Sequence, residues 1–145
     1  MEQRYIQPAD LDGVFSIESR AYADPWSRDL LEQSLTAPLT HSMAFFEEGV
    51  CRAYAIYQVI FTEAHLLNIA VDPSFQAKGL GKKLLEQVMQ DSHRRGAESM
   101  YLEVRPSNET ARKLYEKKAF RLLLVREKYY SNGEAALVMV ADLAD

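Results

Sequence analysis

A glycine-bearing loop, a carboxylate on a strand and a tyrosine on a helix are the parts of this 145-residue chain whose residue types and spacing could do chemistry. The loop lies within Asn68–Lys83, NIAVDPSFQAKGLGKK. There an apolar strand runs into a loop, and the loop runs into a helix N-terminus. Gly79 and Gly81 let the backbone approach a ligand closely. The first N–H groups of a helix have no partner within it and sit at the positive end of its dipole, which favours an anion. Lys78, Lys82 and Lys83 add positive charge. A pyrophosphate fits that chemistry. The spacing to Lys and Ser/Thr excludes the nucleotide-hydrolase loop, and the three-glycine dinucleotide fingerprint is absent. Two glycines also serve simply to turn a chain before an amphipathic helix, and the residues alone leave both readings open.

Glu103 lies in Ser99–Val104, SMYLEV, which alternates as a strand. Tyr101, Glu103 and Arg105 point to one face, Leu102 and Val104 to the other. An acid among apolar neighbours is costly if buried without a partner. It is either a general base or half of a structural ion pair, for example with Arg105. Tyr115 follows on a helix that Asn108 caps, on one face with Ala111 and Lys118. Its residue-level readings are core packing or a proton donor. Trp26 is a groove wall or one half of a hydrophobic staple with Leu31 around the Ser27 cap. Tyr129 and Tyr130, at a strand end, either shape a groove or pack on the sheet.

The elements that must position these groups follow from period and punctuation. Gln3–Ile6 reads as a short strand, and Pro8–Asp10 opens a helix with Asp10 as N-cap and Leu11, Val14, Ile17 and Ala21 facing the core. Asp24–Pro25 breaks it, and a second helix runs from Arg28 to about Thr36. Ser42–Glu47, Val50–Phe61 and Ala64–Val71 read as strands. A helix from Leu80 to Arg95 stops at Gly96. After the Asn108-capped helix, Arg121–Tyr130 and Ala135–Ala141 read as antiparallel strands joined at Ser131–Asn132–Gly133. The fold class is α/β (α+β): a mixed, mostly antiparallel central sheet with helices on both faces, in a single domain over residues 1–145.

Composition narrows the function classes. The chain is 48% hydrophobic and 26% charged, which excludes a disordered or collagen-like protein. The net charge of −4 argues against a direct nucleic-acid binder and suits a basic partner. The single Cys51 excludes an internal disulfide, and His41, His65 and His93 lack ligand spacing, so no metal is expected. No apolar run reaches 18 residues and no signal-peptide pattern opens the chain. The expectation is a cytoplasmic protein with no membrane partner.

Gln76-Ala77-Lys78-Gly79-Leu80-Gly81 resembles the Q/R-x-x-G-x-G/A signature of the GNAT N-acetyltransferase superfamily. Pro25-Trp26-Ser27, Asn68–Pro73, Leu102–Arg105, Ser107-Asn108 and Tyr129-Tyr130 are similar, in register, to its bacterial branch that acetylates ribosomal-protein alanines. The resemblance covers nearly the whole chain. It implies the GNAT fold and acetyl-CoA as co-substrate. Gln76, Ala77, Lys78, Gly79, Leu80, Gly81 and Lys82 would hold the pyrophosphate, Ile69, Ala70 and Val71 the pantetheine arm, and Asn108 would add a contact. It further implies direct transfer of acetyl to the N-terminal amine of a basic, small-subunit ribosomal protein beginning with alanine. Glu103 would act as general base and Tyr115 as general acid, with Trp26 and Tyr130 lining the acceptor groove. A lysine or small amine is the alternative acceptor, and a non-catalytic coenzyme sensor the alternative class. In one place the chain departs from the family. The helix of Tyr115 often ends in Gly-Phe there, but here Ala119–Phe120 follows. A left-handed alanine costs about 1 kcal/mol, so the helix end is either strained or rearranged.

Overall fold

The computed structural model describes residues 1–76 and 78–143. Seven strands form one sheet in the order β1-β2-β3-β4-β5-β7-β6. They are β1 (Glu2–Arg4), β2 (Thr40–Glu47), β3 (Val50–Ile60), β4 (Glu63–Val71), β5 (Ser99–Val104), β6 (Arg121–Arg126) and β7 (Ala136–Asp142). All neighbours are antiparallel except β4 and β5.

Period-two alternation on β3 sends Ala53, Ala55, Tyr57 and Val59 into one core, and Tyr54 and Ile56 into another on the opposite face. Helix α3 (Leu80–Arg94) and α4 (Glu109–Lys117) cover the first core with Leu84, Leu85, Val88 and Tyr115. Helices α1 (Leu11–Ala21) and α2 (Arg28–Thr36) cover the second with Leu11, Val14, Ile17 and Leu31. Trp26 is half-buried against that second core, as a staple residue would be. Asp10 does not cap α1 with its side chain. Pro8–Asp10 is a 3-10 turn, and the Asp10 carboxylate instead accepts from the Gln7 N–H at 2.8 Å and from Arg4 at 2.7 Å.

Gly96 stops α3, as its residue type and place predict. Gly96 has φ +103, with Gly96 N–H to His93 O at 3.0 Å and Ala97 N–H to Ser92 O at 3.0 Å, a Schellman end to α3. Helix α4 ends in the same way around Ala119, which takes φ +67. Ala119 N–H reaches Glu116 O at 3.1 Å and Phe120 N–H reaches Tyr115 O at 3.0 Å. The strained alternative therefore holds, with Ala119 itself in the left-handed position.

The last hairpin departs from expectation. β6 ends at Arg126 rather than Tyr130, because Lys128 turns the chain at φ +51. Tyr129 and Tyr130 thus sit in the β6–β7 loop and not on the strand. β1 is likewise shorter than Gln3–Ile6 and displaced toward the N-terminus. Among the described residues no helix is long and apolar enough to cross a membrane.

Candidate active site

The parallel pairing of β4 with β5 runs only from Glu63↔Ser99 to Leu66↔Leu102. Beyond it β4 stays with β3 as far as Val71, and β5 stays with β7 as far as Val104. The two strands therefore diverge. On the β3 side the register shifts between Ile56↔Asn68 and Tyr57↔Leu66, which leaves Leu67 as a bulge at the point of divergence. The opening exposes strand backbone that no neighbouring strand pairs.

Two clefts flank this opening. One, of about 460 Å³, is lined by Ile69, Ala70 and Val71 of β4 and by Gln76, Gly79, Leu80, Gly81 and Lys82 of the loop and α3. Asn108 and Tyr115 close it from α4. Gly79 has φ +79, a left-handed conformation that favours glycine, and a Cβ added to it would meet nothing within 4 Å. At Gly81 a Cβ would make ordinary 3.6 Å contacts with Leu114 and Val71, so backbone conformation does not demand that glycine. No side chain caps the N-terminus of α3, which leaves its first N–H groups for a ligand. The arrangement fits a pyrophosphate with a pantetheine chain running along β4. Lys78 is not among the lining residues; its ammonium lies 4.6 Å over the Phe75 ring. Ala77 lies outside the described residues.

The second cleft, of about 360 Å³, is lined by Trp26, Asn68, Glu103, Arg105, Tyr130 and Glu18, among others. Glu103 is exposed here, while Leu102 and Val104 beside it are buried, as alternation requires. It is not half of a buried ion pair with Arg105. Arg105 is already held by Asp24 at 3.2 Å and Glu134 at 3.5 Å, and its guanidinium lies 3.8 Å over the Tyr130 ring. Ser131 Oγ also donates to Asp24 at 3.0 Å. These contacts tie the segment between α1 and α2, the end of β5 and the β6–β7 loop into one wall. The Glu103 carboxylate, reached by the Tyr129 hydroxyl, raises that phenol above its ordinary pKa.

Tyr22, Ile69, Asn108 and Tyr115 line both clefts. Asn108 Oδ1 caps α4 by accepting from Ala111 N–H at 3.2 Å. Tyr115 is 5% exposed, and burial pushes its phenol well above the usual value, so it keeps its proton at neutral pH. Its ring is fixed by Phe120 at 5.7 Å, the apolar contact that accompanies the Schellman turn. The Tyr22 hydroxyl donates to the Ile69 carbonyl. Buried Cys51 has its thiol pushed up to about 12 by burial and lines neither cleft. Asp72, 2% exposed, accepts from Arg20 at 3.0 Å, Arg52 at 3.1 Å and Ser74, which fixes where β4 hands over to the loop.

Glu18 and Tyr22 escape a reading of motifs. Glu18 had a signal: it falls on the apolar stripe of α1, seven residues after Leu11 and four after Val14.

The profile of the Acetyltransferase (GNAT) family matches residues 11–120. The chain belongs to that family. It is 37% identical to the [Ribosomal protein bS18]-alanine N-acetyltransferase of Escherichia coli (strain K12), over 96% of this chain and 95% of that protein. The crystal structure of the ribosomal-protein-S18-alanine N-acetyltransferase from Escherichia coli superposes with a TM-score of 0.91 at 35% identity, covering 99% and 94% of the two chains. The fold also matches Arabidopsis thaliana NAA60 in complex with acetyl-CoA, with a TM-score of 0.85 at 16% identity over 97% of each chain, a likeness of fold alone.

Proposed function

We propose that this chain transfers the acetyl group of acetyl-CoA to the N-terminal α-amine of a protein, namely the N-terminal alanine of a small-subunit ribosomal protein. The observation that carries the reading is the meeting of two clefts at Tyr115 and Asn108, with the glycine loop on one side and Glu103 on the other. The naming of the Escherichia coli relative supports the choice of acceptor.

Bound acetyl-CoA supplies the acetyl group as an activated thioester. Glu103, open to the acceptor cleft, takes the proton of the amine through water. A backbone N–H of Asn68–Val71, freed where β4 leaves β5, polarises the carbonyl. Tyr115 keeps its proton until the sulfur departs and releases it there. Attack is direct, since the Cys51 thiol is buried, protonated and remote from both clefts.

Proton energetics favour an N-terminus. An α-amine has an ordinary pKa near 7.7–8.0 and a lysine near 10.4, so at pH 7.5 about a quarter to two-fifths of N-termini are neutral against roughly one lysine in a thousand. The test is mass spectrometry on two basic peptides in one mixture. One begins with a free alanine; the other is blocked at its N-terminus and carries free lysines. Acetyl should appear mainly on the first. Acetyl mainly on the lysines would overturn the reading in favour of a lysine or small-amine acceptor.

A further inference from the structure

Among the described residues two carboxylates, Glu18 and Asp72, are almost fully buried, and they are held in opposite ways. Asp72 is met by two arginines. Glu18, 1% exposed, has no ion pair with any Lys, Arg or His among the described residues. Its partners are three neutral donors. Oε2 accepts from the Trp26 backbone N–H at 2.9 Å. Oε1 accepts from Asn68 Nδ2 at 2.8 Å and from the Tyr54 hydroxyl. A buried carboxylate without a cation is a poor stabiliser, and an apolar side chain of similar size commonly serves a core as well. What the group adds is a polar tie from the segment between α1 and α2 to the floor that paired β3 and β4 form. Trp26 lies in the segment between α1 and α2, Asn68 on the stretch of β4 that has left β5, and Tyr54 on β3 behind it. Trp26 and Asn68 both line the acceptor cleft.

We infer that Glu18 is a positioning residue that sets the width of the acceptor cleft by tying Trp26 to β4, and so determines which first residues the cleft admits. The inference rests on the acceptor reading given above. The division of labour between its oxygens makes it testable. In Glu18→Gln the amide oxygen can keep Asn68 and Tyr54, but the amide N–H₂ then faces the Trp26 N–H, donor against donor. The floor survives and the wall is released. Glu18→Asp keeps the charge but is one methylene too short to reach both sides, and it tests the same link if the glutamine variant does not fold. Tyr54→Phe removes one donor from Oε1 and leaves the Trp26 bond in place.

Trp26 is the only tryptophan of the chain, so its fluorescence reports the wall directly. In Glu18→Gln, acrylamide quenching of Trp26 should rise. The preference for an alanine-first over a leucine-first peptide should fall by about tenfold in kcat/KM, carried by the peptide KM, while the KM for acetyl-CoA stays unchanged. Tyr54→Phe should leave both the quenching and the preference as they are. Unchanged quenching and preference in folded Glu18→Gln and Glu18→Asp would overturn the inference. So would equal increases in KM for peptide and acetyl-CoA, the mark of general loosening. If the wild-type protein acetylated no N-terminal peptide, the acceptor reading would fall, and the quenching comparison would still decide whether Glu18 holds Trp26.

Discussion

Glu103 and Tyr115 differ in burial in the sense their proposed roles require. The base faces the cleft and can exchange protons with water; the acid is enclosed, with its phenol kept protonated. Glu103→Gln keeps the shape and removes the base, so kcat should fall by roughly 10²–10⁴. Tyr115→Phe removes one hydroxyl from a buried ring and should slow turnover by a similar order. In both variants acetyl-CoA affinity, measured by calorimetry, should stay near that of the wild type. Near wild-type kcat in both, under conditions where chemistry is limiting, would remove the assigned roles. Because burial raises the Tyr115 pKa, its loss of a proton should not limit activity on the alkaline side near neutrality. The pH profile should instead rise with deprotonation of the acceptor amine, around its ordinary 7.7–8.0.

The helix ends show how elements hold these residues. Ala119 occupies a left-handed position that costs an alanine about 1 kcal/mol. Ala119→Gly relieves that strain but gives back about 0.4–1 kcal/mol in unfolded-state entropy, so stability should hold or rise by at most about 0.6 kcal/mol and Tm by at most about 2 °C, read by thermal melts. At the other glycine turn, Gly79→Glu puts a carboxylate where phosphates are expected and should weaken acetyl-CoA binding at least tenfold, about 1.4 kcal/mol. Gly79→Ala carries the backbone strain without the charge, so the difference between the two isolates the ligand. Local chemistry made much of this legible in the sequence. The caps at Ser27 and Asn108, the stop at Gly96 and the loop before α3 each follow from a few neighbouring residues. The divergence of β4 from β5 was not legible, since it depends on strands far apart in the chain. Tyr129 and Tyr130 were misplaced because Lys128 enters a left-handed turn that its residue type does not announce. Glu18 was passed over because one acid on an apolar stripe acquires its three partners only from β3, β4 and the Trp26 segment.

At the scale of the whole molecule the net charge of −4, with Glu103 exposed in the second cleft, bears on encounter. A basic acceptor should be drawn in, and salt should screen the attraction. Raising salt from about 50 to 300 mM should lower kcat/KM for a basic alanine-first peptide severalfold, mainly through KM, and leave a neutral peptide of the same length little changed. Equal salt response of the two peptides would show that charge does not guide the approach.

The open edge of the sheet bears on how copies of this protein behave in a crowded solution. On β6 the run Leu122, Leu123, Leu124 and Val125 is 43–56% exposed, and such an edge invites pairing with another strand. The run is bracketed by Arg121 and Arg126. If two copies paired antiparallel about the middle of the run, each Arg121 would stand opposite an Arg126, and like charges directly across a ladder repel. The two arginines thus oppose that pairing on a strand whose own side chains favour it.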